Sequence, residues 1–119
     1  MENQAEKIEA LKVLAEFNGR LIKNMKSLII ELTAGCREDT DQLLNDVLNA
    51  INWEISIMGA TMDVLNKDKE RIRKESFNEK ITILAEALQE KKDEKIAEAM
   101  QGLVIQFEVL GEVARKIIK

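Results

Sequence analysis

The sequence predicts an all-α protein, an antiparallel up-down-up-down four-helix bundle with two long and two shorter helices. Three observations carry this. The 119 residues include no proline and five glycines, which removes the strongest helix breaker and most of the flexible points. Apolar residues recur at spacings of three and four, the period of one face of a helix. Short charged or glycine-containing segments divide that pattern into four stretches, and short connections between helices favour antiparallel neighbours. The length suits one domain, residues 1–119, with a single core. Aromatics make up only 3% of the chain, so Leu, Ile, Val, Ala and Met fill that core.

The first helix is expected from about Asn3 to Ala34. Its seam reads Ile8, Leu11, Ala15, Asn18, Ile22, Met25, Ile29 and Leu32, widened by Leu14, Leu21 and Leu28. Asn18 is the polar member of that seam, where an amide usually fixes register at some cost in stability. Gly35 is a natural stop, because glycine takes the positive φ that ends a helix. In the loop that follows, Asp39 and Gln42 have the spacing of a capping box, and the second helix is expected from about Thr40 toward Arg73, with a possible break near Asn66. Ser76 and Glu79 repeat the capping-box spacing before a third helix over about 77–90, with Phe77, Ile81, Leu84 and Leu88 inward. After the charged turn at 90–93, Asp93 is expected to cap a fourth helix over about 94–118. Its seam is Ile96, Met100, Leu103, Phe107, Leu110, Ala114 and Ile117. At 1.5 Å per residue the first two helices would be about 45–50 Å long, the third about 20 Å and the fourth about 35 Å.

Residues 43–59, LLNDVLNAINWEISIMG, carry only Asp46 and Glu54 as charges in a chain that is 34% charged. Placed on a helix, Leu44, Leu48, Ile51, Ile55, Met58, Met62 and Leu65 form one apolar stripe. Ala50, Trp53, Ile57, Ala60 and Val64 form a second, on nearly the opposite side. A helix apolar on two sides in so small a bundle is expected to share itself between the fold and a partner. The second stripe is therefore the expected partner-binding surface, with Trp53 as its anchor. Glu54, on a flank with Val47 and Thr61, is expected at the seam margin, partly exposed. If it is buried it must be protonated or paired, for instance with a Lys or Arg of a neighbouring helix.

The absent chemistry is informative. The chain has no histidine, so His-dependent triads, the usual zinc sites and Glu-x-x-His di-iron sites are excluded. Phosphate-binding glycine motifs do not occur. The acids are dispersed as ion-pair partners, for example Glu16 with Lys12 and Arg20, rather than clustered. No catalytic residue, cofactor or metal is expected, and the chain does not read as an enzyme; Glu54 with Asp63 would be the pair to inspect if it were. Cys36 is a lone loop thiol. The net charge of −4 argues against a phosphate-tracking protein. The basic run at 67–74, with Lys67, Lys69, Arg71, Arg73 and Lys74, reads as a solvated helix end. The alternative is a nucleic-acid-associated regulator. No apolar run approaches a membrane span and no signal peptide is evident, so a cytoplasmic protein is expected.

The stretches LLNDVLNAINWEI (43–55) and ALQEKKDEKIAEAM (87–100), with FEVL near the end of the last helix, resemble small bacterial helical proteins, some of them encoded among flagellar or motility genes. The layout also looks like the flagellar export chaperones, bundles that cradle an aggregation-prone helix of a client. That resemblance is one of whole-chain pattern and implies a chaperone-like protein-binding role. It carries no individual binding residue. The functional expectation is a non-catalytic protein–protein interaction module, either a homodimer or an adaptor that binds an amphipathic helix of a client.

Overall fold

A computed structural model describes residues 4–119. The elements are α1 (Gln4–Ala34), α2 (Thr40–Ala60), the single turn α3 (Met62–Leu65), α4 (Lys74–Glu90) and α5 (Asp93–Ile117), with no strand among the described residues. The expected start at Asn3 lies outside the described residues. α1 packs against both α2 and α5, and α4 packs on α5, while α2 and α4 do not approach closely. The fold is the expected all-α bundle. Its long pair, however, is α1 and α5 rather than the first two helices.

The second helix is shorter than the sequence suggests because Thr61 interrupts it. The Thr61 hydroxyl donates to the Ile57 carbonyl at 2.7 Å, and its N–H turns to the Met58 carbonyl at 3.1 Å. Back-bonding of this kind bends a helix and competes with its ladder. After α3 the side chain of Asn66 takes over from the helix. Its Oδ1 accepts from the N–H groups of Arg71 and Ile72, both at 2.8 Å, and its Nδ2 donates to the Ile72 carbonyl. The loop is thereby closed around one amide, and Ile72 plugs into the core.

The expected caps do not form. Asp39 makes no side-chain cap; Thr40 instead accepts from the Arg37 N–H and donates to Glu31, both at 2.7 Å. Ser76 lies inside α4, whose N-cap is Arg73, and Lys92 rather than Asp93 stands at the N-cap of α5. Gly35 does end α1 at a positive φ of 137°, donating to the Glu31 carbonyl. Lys91 ends α4 in the left-handed region, at φ 58°. On the surface Lys12 pairs with Glu9 and Arg20 lies over the Phe17 ring, in place of the expected pairs with Glu16.

The α5 seam is buried as the period predicts, except for half-buried Ile117. In α4, Phe77 and Leu84 are buried, and Phe77 meets Phe107 edge to face with centroids 5.4 Å apart. α2 is rotated from its expected setting. Its buried face is Val47, Ile51, Glu54 and Met58, continued by Thr61, Val64 and Leu65. Leu44, Leu48, Ile55 and Met62, expected at the seam, are only half-buried. The helix places the centre of the core between its two apolar stripes, so that each stripe flanks the core.

Candidate functional site

That rotation decides the fate of Glu54. It is 1% exposed, in the middle of the core face of α2. Among the described residues no lysine or arginine neutralises it. The partner is Asn18, at the same level of α1, whose Nδ2 donates to Glu54 Oε1 at 3.0 Å and to the Phe107 carbonyl of α5 at 3.1 Å. One amide thus joins three helices. Asn18, the polar member of the α1 seam, is buried and bonded to both neighbouring helices, and Glu54 is not the partly exposed margin acid. Burial pushes the Glu54 carboxyl up to about 7 from an ordinary 4.5, with the Asn18 hydrogen bond opposing the rise. A buried carboxyl without a cation is held near the point of neutralisation.

Asn18 Oδ1 is fully buried and has no hydrogen-bond partner among the described residues. It rests against Gly111 of α5, where a Cβ would overlap the amide. Gly111 lets α5 come close enough for its Phe107 carbonyl to reach Asn18.

Glu54 also forms part of a surface cleft of about 420 Å³ between α1 and α2. Phe17, Arg20 and Asn24 line it from α1, and Asn49, Ala50 and Trp53 from α2. Phe17 and Trp53 meet edge to face at 6.2 Å, each 41% exposed, and the Arg20 guanidinium sits 5.3 Å above the Phe17 ring. Among the described residues Glu54 Oε2 receives no protein donor; its carboxyl is bound only through Oε1.

The residues of the expected partner stripe are open to solvent only in part. Trp53 and Ala60 are exposed, Ala50 and Ile57 are half-buried beside the cleft or the core edge, and Val64 is core at 2% exposure. Val64 falls beyond the Thr61 break, so the straight-helix extrapolation misplaced it. Phe17 and Asn24 escaped the sequence reading, and Arg20 entered it only as an ion-pair partner of Glu16, because all three lie off the α1 seam. The available signal was Phe17 itself, a large aromatic off that seam and one turn before Arg20.

Glu54 and Asp63 do not converge. Asp63 is exposed and bonded to Lys7 at 2.7 Å, which holds its carboxyl below the usual range, while Glu54 faces the core. No cluster of potential metal ligands occurs among the described residues, and no helix there is long and apolar enough to cross a membrane. Cys36, exposed after α1, donates to Asp93 Oδ2 at 3.3 Å, and that bond holds the proton on sulfur and raises the thiol's pKa. In the basic 67–74 segment, Arg71 is committed to the Leu65 and Lys67 carbonyls and Arg73 lies against Glu70.

Comparison with known families matches residues 9–110 to the family described as a domain of unknown function, DUF8042. The chain belongs to that family. The match runs from the first turns of α1 into the last third of α5, and so takes in Asn18, Glu54, Phe107 and the whole cleft. No curated protein and no solved structure matches the chain.

Proposed function

We propose that this member of the DUF8042 family is a non-catalytic protein–protein interaction module whose α1/α2 groove receives an amphipathic helix, from a second copy or from a client. The observation that carries the reading is the aromatic pair Phe17 and Trp53, left 41% open on one groove while the other two phenylalanines, Phe77 and Phe107, are sealed in the core. Tryptophan and arginine are the residues most often central to binding energy, and Arg20 stands on the same rim. Ala50, Trp53, Ile57 and Ala60 extend the groove along α2 at the spacing of a helix-in-groove contact, over about 15 Å. Ala60 and Ala50 are small enough to let a second helix come close. Chaperone-like holding of a client helix and homodimer formation use the same face.

Light scattering over a concentration series, on the wild type and on Ala60→Glu, tests the reading. Ala60 is exposed, so the substitution leaves the core intact. Expected for the self-associating form is a dimer that Ala60→Glu converts to a helical monomer. Expected for the client-binding form is a monomer with red-shifted, quencher-accessible Trp53 emission. A monomer whose Trp53 emission is blue-shifted and shielded would remove the reading, because the stripe would then be core.

A further inference from the structure

The α1/α2 cleft carries a chemical specificity that an apolar groove alone would lack. We propose that it binds a small organic ammonium ion, an apolar body bearing a protonated amine, with the ammonium on Glu54 Oε2 and the body lying against the Phe17–Trp53 pair. This goes beyond the protein-interaction reading, since a small ligand occupies the cleft of a single chain whatever covers the stripe outside it.

Four observations converge. First, Glu54 is 1% exposed yet lines the cleft, and its only bond is through Oε1 to Asn18. The one wholly sealed side-chain polar atom without a partner among the described residues is Asn18 Oδ1, not Glu54 Oε2. Oε2 therefore retains access, and the cleft is the opening that Glu54 lines. Second, buried carboxylates are normally matched by a cation, and here the described residues supply none. Of the groups lining the cleft only Arg20 is charged besides Glu54, and it lies over the Phe17 ring and makes no ion pair with the acid. α5 meets Asn18 through the Phe107 carbonyl and Gly111, and no charged group of α5 acts on the Glu54 carboxyl. α3 offers none either: Asp63 at its start is tied outward to Lys7. Third, Phe17 and Trp53 give aromatic faces to which ammonium ions are attracted, and the Arg20 guanidinium over Phe17 shows a cation already using one of them. Fourth, about 420 Å³ lies within the range of small-ligand sites, and Asn24 and Asn49 add amide carbonyls at the rim that accept N–H bonds.

An anionic ligand fits less well. It would find Arg20 at the mouth, but its apolar part would then lie on the unpaired carboxyl. A neutral hydrocarbon leaves that carboxyl as it is.

Trp53, the only tryptophan, reports directly from the wall. The full chain is titrated with phenethylammonium, with 2-phenylethanol of the same shape, and with 3-phenylpropanoate, following Trp53 emission and confirming by calorimetry. At pH 8 the ammonium should bind at least about tenfold more tightly than the alcohol. Its affinity should fall by about tenfold for each pH unit below the Glu54 titration near 7, because binding then displaces a proton. Glu54→Gln, which keeps an oxygen for Asn18, should fold and bind alcohol and ammonium alike. Equal affinity of the ammonium and the alcohol in the wild type would overturn the proposal. So would tighter binding of the propanoate, unchanged ammonium affinity in folded Glu54→Gln, or no saturable response at millimolar concentrations. Failure in this titration leaves the light-scattering result untouched, so the two readings fall separately.

Discussion

Phe107 faces two differently built halves of the bundle. Its ring meets Phe77 in the α4–α5 half, among Leu84, Leu103 and Met100, where every buried side chain is apolar. Its carbonyl accepts from Asn18 in the α1–α2–α5 half, where a buried amide and a buried acid occupy the centre of the core face. The first half is an ordinary packed interior, stabilised by apolar burial and contact. The second gives up some of that stabilisation, because burying a carboxyl without a cation is costly and one amide oxygen is left without a partner. The cleft with its exposed aromatics opens onto the second half alone.

The comparison breaks most sharply in the apolar half. Phe77→Ala should destabilise the protein by about 3–5 kcal/mol, by lost burial plus the cavity left behind. Chemical denaturation checks it, and a loss below about 1 kcal/mol would mean this half is not the stable one.

In the polar half the largest effect is one of pH. The folded Glu54 carboxyl titrates near 7 against an ordinary 4.5, so the folded state holds its proton more tightly than the unfolded state does. Its contribution is greatest below pH 4.5 and is lost as pH rises through about 7, a total of about 3 kcal/mol. Asp63 and Glu90 are shifted the other way by Lys7 and Lys95, and act in a separate, more acidic window. Urea midpoints measured from pH 4 to pH 8 should therefore fall in the wild type, and Glu54→Gln should flatten that fall. A wild-type curve already flat across neutral pH would place Glu54 in contact with solvent.

Closer to the contact itself, Gly111→Ala should cost about 1–3 kcal/mol by overpacking against Asn18. Combined with Asn18→Ala the two losses should be less than additive, since the smaller side chain removes the overlap; a double-mutant cycle by denaturation measures this. Strict additivity would show that Gly111 matters for another reason. The smallest change returns to the apolar half. Lys91→Gly at the left-handed end of α4 should raise stability by about 0.5–1 kcal/mol, read as a shift in melting temperature.

The sequence by itself determined the number of main helices, their antiparallel order, the α5 seam and the stop at Gly35, because these depend on local periodicity and backbone preference, which are properties of neighbouring residues. It also marked Asn18 as a buried polar residue and Trp53 as an open one. The interruption at Thr61, the closure of the 66–73 loop on Asn66 and the burial of Val64 were decided by tertiary structure. A threonine or an asparagine offers its hydrogen bond to several backbone partners, and only the packed chain selects one. The setting of α2 about its axis was decided in the same way. Two apolar stripes of similar strength leave a helix free to turn either inward or to place the core between them, and the contact with Asn18 and the close approach at Gly111 accompany the second solution. That choice carried Glu54 from the margin to the centre and joined Phe17 to Trp53 across the groove. No spacing along a single helix could show either, since both depend on which residue of another helix stands opposite.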